Sequence, residues 1–171
     1  MTDRRNAKAW PRVFAAGQGM FDALISMVEQ IDDGIGAWGG HLRELYADGL
    51  DEAASILDRP ALREAAGSWR ASADLWQELA DAAVPTGVDG AADAVELAEE
   101  LHDAVMSGEP GRAQARRAAA GLWEIRDRHA DEWPLAADET DALLADLGRR
   151  LAAIHAAEQT ALDATRRGIG G

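Results

Sequence analysis

Apolar residues recur along this 171-residue chain at steps of three and four, the period of an amphipathic helix. The pattern predicts about six main helices, over Gly19 to Ile31, Leu42 to Leu57, Pro60 to Ala83, Asp89 to Met106, Ala115 to Ile125, and Asp138 to Arg167. Helices joined by short loops tend to pack antiparallel. We therefore expect an all-α, single-domain bundle over residues 1–171, with an N-terminal arm over 1–18 and a frayed tail over 168–171.

The turn between the first two helices is rich in glycine, with Gly34, Gly36 and the pair Gly39–Gly40 around Trp38. We expect the first helix to end at Asp32–Asp33, with Gly34 as a left-handed cap. No predicted strand precedes these glycines, so a phosphate-binding loop is not indicated. The N-terminus of the helix after Gly40 could hold an anion, but we interpret the turn as a geometric corner between two helices.

Aromatic residues suggest a ligand site, because the chain has six tryptophans but only one tyrosine and two phenylalanines. Trp69 and Trp76 are seven residues apart on one helix face, which fits either core packing or a pocket with indole walls. Trp38 could cover the mouth of such a pocket or meet a second subunit. Gly49 interrupts the apolar stripe beside Tyr46, where close approach of a backbone or ligand would explain it. These five residues form the predicted ligand site.

Charge and composition exclude several functions. The net charge of −14 disfavours binding to nucleic acid or an anionic membrane, since both require a surplus of Lys and Arg. No apolar run is long enough to span a bilayer, and the basic start lacks an apolar signal core. There is no cysteine for a disulfide, a thiolate nucleophile or an iron–sulfur cluster. We expect a cytoplasmic protein without nucleic-acid or membrane partners.

Each histidine lies three residues from a glutamate, a spacing that places both on one helix face. The pairs are His41–Glu44, Glu99–His102, His129–Glu132 and His155–Glu158. The Glu99–His102 order is that of di-iron bundles, but the matching pair and additional glutamates on other helices are missing. We expect surface pairs, or for His155–Glu158 a buried polar pair, and no cofactor. Metal binding by Glu99, His102, His155 and Glu158 is the alternative.

Catalytic motifs are also missing, because the sequence has no nucleophile elbow, phosphate loop, dinucleotide fingerprint or zinc motif. If the protein is an enzyme, Glu29, Tyr46 and Glu52 are the candidate acid–base groups.

The stretch from Met27 to Leu57 resembles a helical domain of unknown function from actinobacterial natural-product proteins, and the likeness extends over about residues 8–167. The resemblance is carried by Glu29, Gly34–Gly40, Leu45–Tyr46–Ala47–Asp48, Leu50–Asp51–Glu52–Ala53–Ala54, Asp58–Ala66 and Leu75–Ala80. In full-length relatives this domain follows an acyltransferase-like domain of the butirosin biosynthesis protein H type, which holds the reactive cysteine. Gly49 departs from the family pattern, which has a bulky apolar residue there. The given chain lacks the N-terminal module, so we expect a standalone domain without acyl-transfer activity.

Three functional hypotheses follow. The first is an accessory helical protein of natural-product biosynthesis that binds an apolar or acyl-type intermediate, or a partner enzyme. The second is a small helical enzyme of the same pathway. The third is a structural module that forms a homodimer through an exposed apolar stripe.

Overall fold

The computed structural model describes residues 19–36, 38–130 and 133–170. They form α1 (Met20–Ile31), α2 (Gly40–Leu57), α3 (Ala61–Ala83), α4 (Ala91–Met106), a short 3-10 helix (Glu109–Gly111), α5 (Arg112–Arg128) and α6 (Ala137–Gly170). The described residues contain no strand, and the prediction of an all-α chain with about six main helices is confirmed. The predicted arm over residues 1–18 lies outside the described residues.

Local chemistry explains where helices begin and end. Gly90, with φ of 76°, precedes α4, and Asp58, with φ of 53°, closes α2 in the left-handed region. At the end of α1 the expected left-handed cap at Gly34 is wrong, since Gly34 does not have a positive φ. Instead the Asp32 carboxylate accepts a hydrogen bond from the Gly34 amide at 2.8 Å and turns the chain.

Backbone contacts divide the chain into two compact units. Of the described residues, the first unit contains those up to Met27 and those within Val84–Ala137, and the second contains those within Val28–Ala83 and those from Asp138 onward. The single-domain assignment stays a prediction, and each unit is described by itself.

The first unit is held by close packing of α4 on the 3-10 helix and α5. A Cβ added at Gly111 would lie 1.9 Å from the Ala104 carbonyl oxygen, and one at Gly121 would lie 3.1 Å from a Leu97 methyl group. Glycine at these positions therefore lets the elements approach closely. The buried apolar side chains of this unit are Met20, Phe21, Leu24, Ile25, Val88, Ala91, Ala94, Ala98, Ala104, Ala118, Leu122 and Ile125.

The second unit has a core of small residues between α2 and α3. Ala47, Leu50 and Ala54 of α2 are buried in one cluster with Leu62, Ala65 and Ala66 of α3. Trp69, Ala53 and Ala164 pack at the margin of this cluster. Because most of these side chains are alanine, the two helices can approach closely and still exclude water.

The C-terminal end of α6 is part of the second unit, and the predicted fraying from residue 168 is wrong. The helix continues through Gly170, and Gly168 is buried. A Cβ at Gly168 would lie 2.7 Å from a Leu62 methyl group, so glycine permits this contact. Arg59 donates hydrogen bonds to the Gly168 and Ile169 carbonyl oxygens, which the helix end would otherwise leave unpaired. Gly171 lies outside the described residues.

Candidate functional site

One side of α2 is apolar and exposed. We call it the α2 apolar face and define it by Leu42, Leu45, Tyr46, Gly49, Ile56 and Leu57. The exposed fractions of Leu45 and Ile56 are 61% and 73%, whereas Ala47, Leu50 and Ala54 on the other side are buried. Apart from Leu50, the helix therefore buries small side chains and presents its large apolar ones to solvent. Hydrophobic burial alone would favour the reverse arrangement, with the large apolar side chains buried.

The rotation of α2 that exposes this face is set by the burial of its other side against α3, and solvent-exposed ion pairs lie beside that contact. Arg70 binds the Asp48 carboxylate at 2.6 Å and the Asp51 carboxylate at 2.8 Å. Hydrogen bonds to Asp48 and then to Asp51 raise the pKa of the Arg70 guanidinium, so it stays fully charged. The Asp48 and Asp51 side chains are 68% and 37% exposed, so solvent screens both pairs and they add little to the packing of α2 on α3.

Gly49 lies in the middle of the α2 apolar face. A Cβ added there would find no atom within 4 Å, so neither strain nor a neighbouring backbone requires glycine. The close approach that would explain Gly49 is therefore not made by any described residue of this chain. Gly49 instead leaves a gap between the neighbouring exposed side chains.

Tyr46 and Trp69, two of the predicted ligand-site residues, are brought together in the second unit. Their rings meet edge to face, with centroids 5.1 Å apart and an interplanar angle of 84°. The Trp69 indole N–H donates to the Thr165 hydroxyl at 3.0 Å, and that hydroxyl donates to the Ala161 carbonyl at 2.8 Å. The indole N–H of Trp69 is thus bonded to α6, which gives this ring a structural role.

Trp76 belongs to a network that joins α2, α3 and α6. Its indole N–H donates to a Glu158 carboxylate oxygen at 3.0 Å, and the Arg43 guanidinium lies 4.8 Å from the centre of its ring. Arg43 also binds Glu158 directly at 2.6 Å, and both side chains are about one-fifth exposed, at 20% and 23%. Arg43 was not singled out from the sequence, because no local pattern marks this role. The partner lies 115 residues away in the chain.

The glycine-rich turn is a tightly packed corner. Cβ atoms at Gly36 and Gly39 would lie 2.2 Å and 1.9 Å from the carbonyl oxygens of Gln30 and Ile31. Arg43 donates to the Trp38 carbonyl oxygen at 2.6 Å and to the Gly39 carbonyl oxygen at 3.1 Å. The Trp38 side chain is 69% exposed. The structure therefore holds the Trp38 backbone firmly and leaves its indole ring at the surface.

An internal carboxylate occupies the start of α2, where an anion was considered. A Cβ at Gly40 would come within 2.7 Å of an Asp33 carboxylate oxygen, so Asp33 lies against the helix N-terminus. Gln77 fixes this arrangement, because its amide accepts a hydrogen bond from the Asp33 backbone N–H at 3.0 Å and donates one to Asp32 at 2.8 Å. The negative charge that the helix dipole attracts is supplied by the protein itself.

The acid–base candidates are scattered. Glu29 is half-buried on α1, and Glu52 is exposed on α2. Tyr46 and Glu52 are six residues apart on one helix, so their side chains point about 120° apart around its axis. Tyr46 contacts Trp69. This placement gives no shared site for acid–base chemistry by Tyr46 and Glu52.

The metal-ligand candidates lie in different units. Glu99 is exposed and His102 half-buried on α4, whereas His155 is exposed on α6. The expected buried pair of His155 with Glu158 is wrong, since Glu158 turns towards Arg43 and Trp76. Among the described residues no group of three or more His, Cys, Asp or Glu is arranged to hold a metal.

His129 is the buried histidine of the first unit, so its expected place in a surface pair is wrong. It closes α5, where its ring stacks on Phe21 with centroids 4.5 Å apart. Its Nε2 atom lies 2.8 Å from the Asp89 carbonyl oxygen. Glu132, its predicted partner, lies outside the described residues. The burial and both contacts give His129 a packing role.

The sequence profile of a domain of unknown function, DUF4872, matches residues 5–109. The chain belongs to the DUF4872 family. The matched part of this DUF4872 chain contains α1 to α4, and with them the glycine-rich turn and the α2 apolar face. The comparisons with curated proteins and with solved structures each return no match. No helix in the described part of the chain is both long and apolar enough to cross a membrane.

Proposed function

We propose that this DUF4872 chain is an accessory module of natural-product biosynthesis that docks onto a partner protein through the α2 apolar face. The observation that carries the proposal is the orientation of α2. Most of its large apolar side chains are exposed, while Ala47, Leu50 and Ala54 are buried against α3. Contiguous exposed apolar surface of this kind is typical of interaction sites.

The hydrogen bonds of the indole groups favour docking of a protein rather than a ligand pocket with indole walls. The N–H groups of Trp69 and Trp76 are bonded to Thr165 and Glu158 within the same unit. They are therefore engaged in holding α3 to α6. The exposed aliphatic side chains of the α2 apolar face are not engaged in this way. Their burial by a partner would remove several large side chains from water.

The resemblance to natural-product proteins supports the biosynthetic setting. Relatives of that kind carry this domain behind an acyltransferase-like module of the butirosin biosynthesis protein H type. A module of that class is therefore the partner we propose to test first.

The test measures binding of the chain to an isolated module of that class by titration calorimetry. Replacing Leu45 and Ile56 together with Gln should weaken binding by more than about tenfold, because each buried aliphatic side chain contributes about 1.5–3 kcal/mol. The matched control replaces Val105 and Met106 with Gln, two exposed apolar residues on α4 of the first unit. This control should bind like the wild type. Absence of binding by the wild type, or equal loss in both variants, would overturn the proposal.

An acyl-type ligand is the second candidate. It is favoured by the contact between Tyr46 and Trp69, which places an indole ring beside the α2 apolar face. Native mass spectrometry of the purified protein separates the two candidates. A bound small molecule that is lost on Tyr46→Ala substitution supports the acyl-type ligand, and its absence supports protein docking.

A further inference from the structure

We draw no further inference here: the strongest candidate, the groove between α4 and α5 that is lined by Asp93, Glu96, Glu99, Glu100 and Asp103, is a cluster of acidic side chains at which nothing in the described part of the chain shows what would bind.

Discussion

Arg43 is the residue whose replacement should most clearly separate a structural network from a ligand site. In Arg43→Met the side chain keeps an unbranched apolar stem, but three interactions are lost. These are the charged hydrogen bonds to Glu158, the bonds to the Trp38 and Gly39 carbonyl oxygens, and the contact with the Trp76 ring.

The size of the effect follows from these contacts. A hydrogen bond to a charged group contributes about 1.5–3 kcal/mol when buried, and the lower end applies here because both side chains are partly exposed. The cation–π contact adds about 0.5–1 kcal/mol. With the bonds to the carbonyl groups, we expect Arg43→Met to lower the free energy of unfolding by about 2–4 kcal/mol.

Urea unfolding followed by circular dichroism measures this loss, and a double-mutant cycle with Glu158→Gln isolates the pair. The cycle should give a coupling free energy of about 1 kcal/mol or more. The matched control is Arg149→Met, which removes an ion pair to Asp146 at an arginine whose side chain is 70% exposed. This substitution should lower the free energy of unfolding by less than about 0.5 kcal/mol. A loss at Arg43 no larger than the loss at Arg149, or a coupling near zero, would refute this account of the network.

Two further predictions concern the glycines and pH. Gly39→Ala should destabilise the protein by about 2–4 kcal/mol, because its Cβ would meet the Ile31 carbonyl oxygen at 1.9 Å. Gly49→Ala, which adds a Cβ in open space, should stabilise it by about 0.5–1 kcal/mol, and thermal unfolding compares the two. The hydrogen bond from Arg150 lowers the pKa of Asp146, so this carboxylate stabilises the folded state above its unfolded pKa, and the contribution disappears as pH falls through its folded pKa. The stability difference between wild type and Asp146→Asn should therefore shrink from pH 7 to about pH 3 in urea titrations, and a constant difference would contradict it.

Helix positions could be predicted from the sequence to within a few residues, because periodicity and turn residues are local properties. The predicted helix Pro60 to Ala83 corresponds to α3 at Ala61–Ala83, and the predicted helix ending at Met106 corresponds to α4. The prediction that the chain frays from residue 168 onward was wrong because of a contact with a residue far away in the chain. Glycine favours fraying in isolation, but here it allows α6 to pack against Leu62, which lies 106 residues earlier.

The candidate site was only partly predictable. The sequence placed Trp69 and Trp76 on one helix face, but it could not show that Thr165 and Glu158 accept hydrogen bonds from them. Those partners are 96 and 82 residues away, and no local pattern marks them. Periodicity likewise located the apolar stripe of α2 without showing that Ala47 and Ala54 would pack against α3 while the larger side chains stay exposed.

The network of Arg43 has a consequence for the order in which the protein is synthesised. Arg43 and Glu158 are separated by 115 residues, so at roughly 5–20 residues per second about 6–23 s pass between their incorporation. In the course of this interval the rest of α2 and all of α3 are synthesised. The α6 residues that bind Trp69 and Trp76 are synthesised only at or after its end. The second unit therefore reaches its final form only after α6 has been synthesised, and until then its indole groups lack the partners that hold them.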